Sequence, residues 1–263
     1  MLPAFRNRRS GATMEHAVKK MSVASLQEMY ESVEERLEVS LTVQLIGMGQ
    51  LKDTRVKGSE GLKKVMTLFV ADGTMVCSLS LWGKFAADLD PALDAAFSRD
   101  GFPVLECHGL MRRIASTEPK MVVVLKNGKN SKINILPNKP AVVVRPSLHL
   151  MVTTFAGLGK EGIIANLVGT VVDQGDLRHA ASGTPMRTLT LADFTGLGLE
   201  IVLHGSKASE EFRLGEKLAL FYTKALANLE PTESGSYWVY EDAFVLRLGH
   251  SSVPELKGRV EVY

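Results

Sequence analysis

Two kinds of residue in this chain are equipped to act on another molecule. These are aromatic rings on faces where a core would not need them, and basic side chains gathered in loops. Residues 78–83 (SLSLWG) hold the first kind. The stretch alternates as a strand does, with Leu79 and Leu81 on one face and Ser78, Ser80 and Trp82 on the other. Leu68 and Val70, in TLFVAD (67–72), extend the apolar set. Phe69 and Trp82 are then left on the outward faces of neighbouring strands, where two rings form a patch. The competing reading covers Trp82 with the following segment 83–101 or with a linker, since tryptophan is highly buried on average. The loop GQLKDTRVKGSEGLKK (49–64) holds the second kind, with Lys52, Arg55, Lys57, Lys63 and Lys64 against Asp53 and Glu60. Lys84 follows the tryptophan, Arg112 and Arg113 close a later strand, and Lys120 opens the next. Converging on one groove, such cations would neutralise phosphates. Dispersed, they are an ordinary solvated surface.

Other chemistries find no support. The six histidines (16, 108, 149, 179, 204 and 250) are scattered. Cys107 and His108 fall on opposite faces of one strand, unsuited to joint metal ligation. Cys77 and Cys107 form no CxxC pair and no dense disulfide framework, which suits a reduced, intracellular compartment. The glycines and lysine of GLGKEG (157–162) lack the spacer and the Ser/Thr of a phosphate-binding loop. The sequence therefore predicts no enzyme, no metal and no cofactor. A net charge of +2 leaves any attraction to nucleic acid to local patches. No apolar run approaches the roughly 20 residues of a membrane span. Arg6, Arg8, Arg9, Lys19 and Lys20 against the single acid Glu15 make a basic disordered tail over 1–24, or a mitochondrial transit peptide.

The elements that must position these residues come in two sets. TLFVAD (67–72) reappears as TLTLAD (188–193), LIG (45–47) as LVG (167–169), and LSLWGKFA (79–86) as EIVLHGSKA (200–208). Three matching segments in one order argue for a tandem duplication with a period of about 122 residues. The first copy reads as strands 39–47, 65–71, 76–82, 103–111 and 121–126, with a helix over 83–101 stopped by Gly101. The second reads as strands 163–172, 186–192, 198–204, 217–224 and 237–246. Residues 25–37 predict a further helix, with Ser25 and Glu28 as a capping box and Leu26, Met29, Tyr30, Val33 and Leu37 as its apolar stripe. The stripe packs on the first barrel or docks a protein partner. The expected organisation is a basic segment 1–24, a first domain 25–136, a flexible linker 137–160, a second domain 161–250 and a tail 251–263. The class is all-β with short helices, as two tandem five-stranded OB-fold barrels, because a helix between strands three and four is where that fold places one.

SLSLWGKFAAD resembles the third strand and following turn of the OB domains in the large subunit of replication protein A, a single-stranded DNA-binding family. ANLVGTVVDQGDLRHAASGTPMRTLTLAD (165–193) resembles its first two strands. The resemblance covers roughly residues 37–249. It implies that Trp82 stacks on a nucleobase, and it implies single-stranded DNA as the partner in replication and repair. By the same token His204, Arg178, Arg187, Lys207 and Trp238 serve the second, weaker copy. The family's aromatic in the turn after strand four is replaced here by Ile114, Ala115 and Ser116. Two other readings stay open: a protein-docking scaffold using helix 25–37, and an RNA-binding protein of an organelle. The nucleus is the expected compartment, with the mitochondrion as the alternative.

Overall fold

The computed structural model describes residues 21–28, 38–56, 61–117, 119–137, 139–140, 142–158, 161–226, 237–240 and 244–259, with backbone alone at 38, 237–240 and 259. Its first half runs α1 (Val23–Glu28), β1 (Glu38–Met48), β2 (Lys52–Arg55), β3 (Leu62–Ala71), β4 (Val76–Trp82), α2 (Gly83–Asp100), β5 (Val104–Ser116) and β6 (Val122–Leu136). The pairings β1–β3, β3–β4, β4–β6, β6–β5 and β5–β1 close a ring in which β4–β6 alone is parallel. Short β2 extends the rim beside β3. The second half runs β7 (Ile164–Gln174), β8 (Arg178–His179), β9 (Pro185–Ala192), β10 (Leu197–His204), a 3-10 turn (Gly205–Ser209), β11 (Glu216–Leu226), β12 (Tyr237–Tyr240), β13 (Phe244–His250) and β14 (Gly258–Arg259). It closes the same way, β7–β9–β10–β12–β11, with β10–β12 parallel. The chain is all-β with short helices, two OB-fold barrels in tandem.

Period-two alternation builds each interior. Val39, Leu41, Val43, Leu45, Leu68, Val70, Leu79, Leu81, Leu105 and Cys107 are all sealed inside the first barrel. Burying each such leucine or valine stabilises the fold by roughly 1.5–3 kcal/mol. A one-residue slip would send the whole set to solvent, so register is strongly specified. Both cysteines are free and buried, and desolvation pushes each thiol up to about 12.

The hairpin between the second and third strands is held identically in both halves. Asp72 Oδ1 accepts from the Thr74 and Met75 amides and the Thr74 hydroxyl, while Oδ2 takes the Val23 amide at 2.7 Å. Asp193 Oδ1 accepts from the Thr195 and Leu197 amides and the Thr195 hydroxyl, while Oδ2 takes the Phe155 amide at 2.7 Å. Each carboxylate thus ties the turn to the segment that precedes its barrel.

This equivalence corrects one sequence match. Leu45 pairs with Val70 and Val171 with Leu191, each two positions before the clamp aspartate. The Gly49 and Gly175 amides donate to Thr67 and Thr188. Gly47 is therefore equivalent to Asp173, and not to Gly169 as LIG and LVG suggest. The loop insertion in the first copy hides the shift, since Gly49 lies 23 positions before Asp72 while Gly175 lies 18 before Asp193.

Three further expectations change. Helix α1 starts at Val23, and its cap is Ser22, whose Oγ accepts the Ser25 amide, so Ser25 lies inside the first turn. The remainder of the predicted helix, 29–37, lies outside the described residues, as does most of the basic segment 1–24. Strand β6, expected to end at 126, continues to Leu136 through a bulge in which Ser131 Oγ takes the Gly128 amide and donates to the Gly109 carbonyl. Residues 142–158, read as a flexible linker, are laid onto both barrels. The Arg145 and Ser147 amides donate to Gly73 and Thr74, Val152 bridges to Leu167, and Phe155 and Leu158 are fully buried.

Asp193→Ala removes four hydrogen bonds made by a buried carboxylate, and it is expected to lower stability by about 2–4 kcal/mol, read as a lower urea midpoint at unchanged slope. Both thiols should resist iodoacetamide in the native protein near about pH 8, since burial holds them protonated until the pH approaches their raised values, and both should react once urea unfolds the chain.

Candidate nucleic-acid interface

Trp82 ends β4 with an extended backbone, and Gly83 turns the chain into α2 at φ 66°, a conformation that favours glycine. His204 and Gly205 repeat this geometry in the second barrel, with φ 62° at the glycine. The Trp82 amide donates to Asn127 Oδ1 at 2.7 Å, which anchors the ring's backbone to the β6 bulge. Its side chain is half-buried, neither sealed in the core nor fully bare.

The strand register assembles what surrounds it. Lys52 of β2 stands opposite Val65 of β3, which stands opposite Trp82 of β4. Opposed residues share a face, so these three form one row across the front of the barrel. Two residues further along β3, Lys63 faces the same way. In the next row Thr67, Ser80 and Lys126 lie side by side across β3, β4 and β6. Lys84 is exposed on the first turn of α2. Lys63, Lys84 and Lys126 have no carboxylate partner among the described residues. The second barrel repeats the row as Arg178, Met186 and His204.

The predicted cations divide accordingly. Asp53, Arg55 and Lys64 fall on the opposite face of the β2–β3 flap, and Lys64 is paired with Asp53 at 3.4 Å. Arg113 is exposed on the outward face of β5, opposite Val124. Arg112 does not join it. The residue is 2% exposed, opposite Leu125, and its Nη1 donates to the Leu26 carbonyl at 3.2 Å, because consecutive strand residues cannot face one groove. Lys57 lies outside the described residues. Lys126 is a member that sequence reasoning missed, and so is exposed Lys129 on the adjoining bulge. The expected strand 121–126 already ends on Lys126, and its continuation NGKNSKINIL (127–136) carries Lys129.

Phe69 requires a second correction. It faces outward as expected, but it is 8% exposed. Tyr222 and Phe244 of the second barrel pack on it, with ring centroids 6.2 and 6.0 Å away. The Tyr222 hydroxyl accepts the Ser78 amide at 2.7 Å and donates to the Val123 carbonyl at 2.8 Å, bridging β4 and β6. Burial pushes that phenol well above its usual range. Residues 114–116, read as a turn, are the last residues of β5.

The second barrel's face is poorer in available charge. Arg187 shares Leu203's side of the sheet, and its Nη1 donates to the Glu210 carbonyl. Lys207 is paired with Glu210 at 2.5 Å. Glu200 occupies the place that Ser78 holds in the first barrel, opposite Thr190. Trp238 lies opposite Ile201 in the backbone register, and its side chain is outside the described residues. Among the described residues no cluster of histidine, cysteine or carboxylate could hold a metal, and no helix is long and apolar enough to cross a membrane.

Arg112→Ala should destabilise the fold by about 2–4 kcal/mol in thermal or urea unfolding, since it leaves a cavity and an unpaired Leu26 carbonyl. Arg113→Ala, one residue away, should change stability by no more than about 0.5 kcal/mol.

No protein-family model matches this chain, and no curated protein does. Among solved structures it is similar to a replication protein A heterotrimer bound to single-stranded DNA, at 12% identity and TM-score 0.42, over 85% of this chain and 52% of that one. It is also similar to the HINb domain of p204, at 15% identity and TM-score 0.42, over 82% of this chain and all of that one. Fission yeast Pot1 with single-stranded DNA matches at 9% identity and TM-score 0.35, over 89% of each chain. The chain spans about half the length of the replication protein A chain it matches. These likenesses are too distant to carry the role of any residue across.

Proposed function

We propose that this protein is a non-enzymatic binder of single-stranded nucleic acid, DNA in the first instance, and that its first barrel does most of the binding. The observation that carries this reading is the row Lys52–Val65–Trp82 on the front of that barrel, flanked by Lys63, Lys84 and Lys126. A half-exposed indole has one face to offer a base. Stacking of that kind is worth roughly 1–3 kcal/mol and tolerates any base. The lysines surround the ring rather than sitting on it, as a strand needs when its bases face the protein and its phosphates lie to either side. Arg113 supplies a further cation higher on the same face. The repeated row Arg178–Met186–His204 supports a second, weaker contact, since imidazole is smaller than indole and Glu200 repels phosphate. On this reading the chain acts in DNA replication or repair and resides in the nucleus.

Fluorescence anisotropy with labelled oligo-dT tests this directly. Trp82→Ala should weaken binding about tenfold while leaving the fold intact, as its far-UV circular dichroism would show. Wild-type affinity should fall with salt at a log–log slope of roughly −3, for about four phosphates neutralised on a single strand, and the double variant Lys63→Ala/Lys126→Ala should flatten that slope. No binding at low salt would remove the proposal. An RNA strand of equal length, titrated in parallel, decides between the two nucleic acids.

A further inference from the structure

Tyr222 stands out in the second barrel for its backbone as well as its contacts. It is the one non-glycine residue with positive φ among the described residues, at 63°. It sits in a bulge of β11, where the register against β7 shifts between Leu220 and Thr223. The Tyr222 amide is held in this posture by Asn166 Oδ1 at 3.0 Å, and Asn166 is itself fully buried. A bulge bends its strand and re-aims a side chain. Here it turns the phenol out of its own barrel and onto the front of the other.

The place where it lands belongs to the face described above. Phe69 lies four residues along β3 from Val65, and Ser78 four along β4 from Trp82, which puts their row about 13 Å up the strands. In the Trp82 row Lys52 is exposed and the indole half-buried over a buried Val65, whereas at the Phe69 row Tyr222 and Phe244 cover the ring. Gly47 lies opposite Phe69 on β1, and a Cβ there would be in ordinary contact with both Phe69 and Phe244, so the two rings also close over this strand. The phenol oxygen meanwhile occupies the strand's free polar groups, the Ser78 amide and the Val123 carbonyl. An aromatic ring with a hydrogen-bonding edge is seated where a second base with its own polar edge would fit.

We propose that Tyr222 sets the length of strand this protein binds, by occupying a second base-stacking position on Phe69 that opens only when the two barrels part. This rests on the single-strand reading above. A short strand uses the Trp82 row of the docked pair. A longer one gains Phe69, Ser78 and Arg113 after displacing Tyr222 and Phe244, so part of its binding free energy is spent on undocking. Long-strand affinity in the native protein is correspondingly weaker than the full face would give.

The test uses the full chain and two oligo-dT ligands, of about four and about twelve nucleotides. Tyr222→Gly removes the ring and suits the positive φ, so the backbone loses strain rather than gaining it. It should tighten the longer strand about tenfold and leave the shorter one unchanged. Adding Phe69→Ala should abolish the gain. Tyr222→Phe, which keeps the ring but drops both phenol hydrogen bonds, should give a smaller gain of about threefold, and it serves as the deciding variant if the glycine form does not fold. Unchanged or weakened long-strand binding in the folded variant, or a gain that survives Phe69→Ala, would overturn the inference. Loss of the inference alone leaves short-strand binding that still depends on Trp82. If the single-strand reading itself fails, neither oligonucleotide binds in a Trp82-dependent manner.

Discussion

A hydrogen-bonded carboxylate in each barrel, half-buried in the first and buried in the second, fixes the register on which the front face depends. Asp72 and Asp193 each satisfy the amides of a tight turn with one oxygen and reach with the other to the segment before the barrel. That arrangement sets where the third strand begins relative to the second. Seven paired positions later the strand ends at Trp82, or its counterpart His204. A slip of one residue there would turn Trp82 inward and expose Leu79 and Leu81. The clamp therefore secures the core and the outer row together, because the two are opposite faces of the same strands.

The face so defined is used in two ways. At its lower end Trp82 is half-buried, and Lys63, Lys84 and Lys126 around it have no carboxylate partner among the described residues. Its upper end, at Phe69, is covered by the other barrel. Hydrogen bonds from Arg145 and Ser147 to the β3–β4 turn brace the connecting segment at this upper end. The two halves are thus packed together through aromatic rings on a surface that alternation had left outward.

The duplication also separates what is repeated from what has diverged. The ring order, the parallel closing pair, the aspartate clamp, the bulge in the first strand and the glycine after the third strand all recur. The side chains of the outer row keep only their pattern, cation–apolar–ring, while the rings differ in size and the neighbours in charge. Scaffold features recur because each satisfies buried backbone groups, which carry a penalty if left unpaired. Nothing in the core requires the outer residues to stay alike.

Much of this is legible in the sequence, because strand alternation is a local property. The inward set Leu68, Val70, Leu79 and Leu81, the outward Trp82, the helix between the third and fourth strands and the OB-fold class all follow from spacing of two and from turn residues. Where reasoning went astray, the cause was local pattern meeting something non-local. The LIG and LVG match failed because an insertion in a loop moved the true equivalents four residues. Lys129 was missed because a bulge carries β6 past its apparent end, and the place of Lys126 beside Ser80 rests on the parallel pairing of β4 with β6. The covering of Phe69 could not be read at all. It depends on Tyr222, 153 positions further along the chain, held in a left-handed turn that no propensity favours for tyrosine. Sequence by itself determined which faces of each strand are apolar and which are free. Tertiary structure alone decided which of the free faces stays open, since that is settled by a contact between two barrels that are each complete without it.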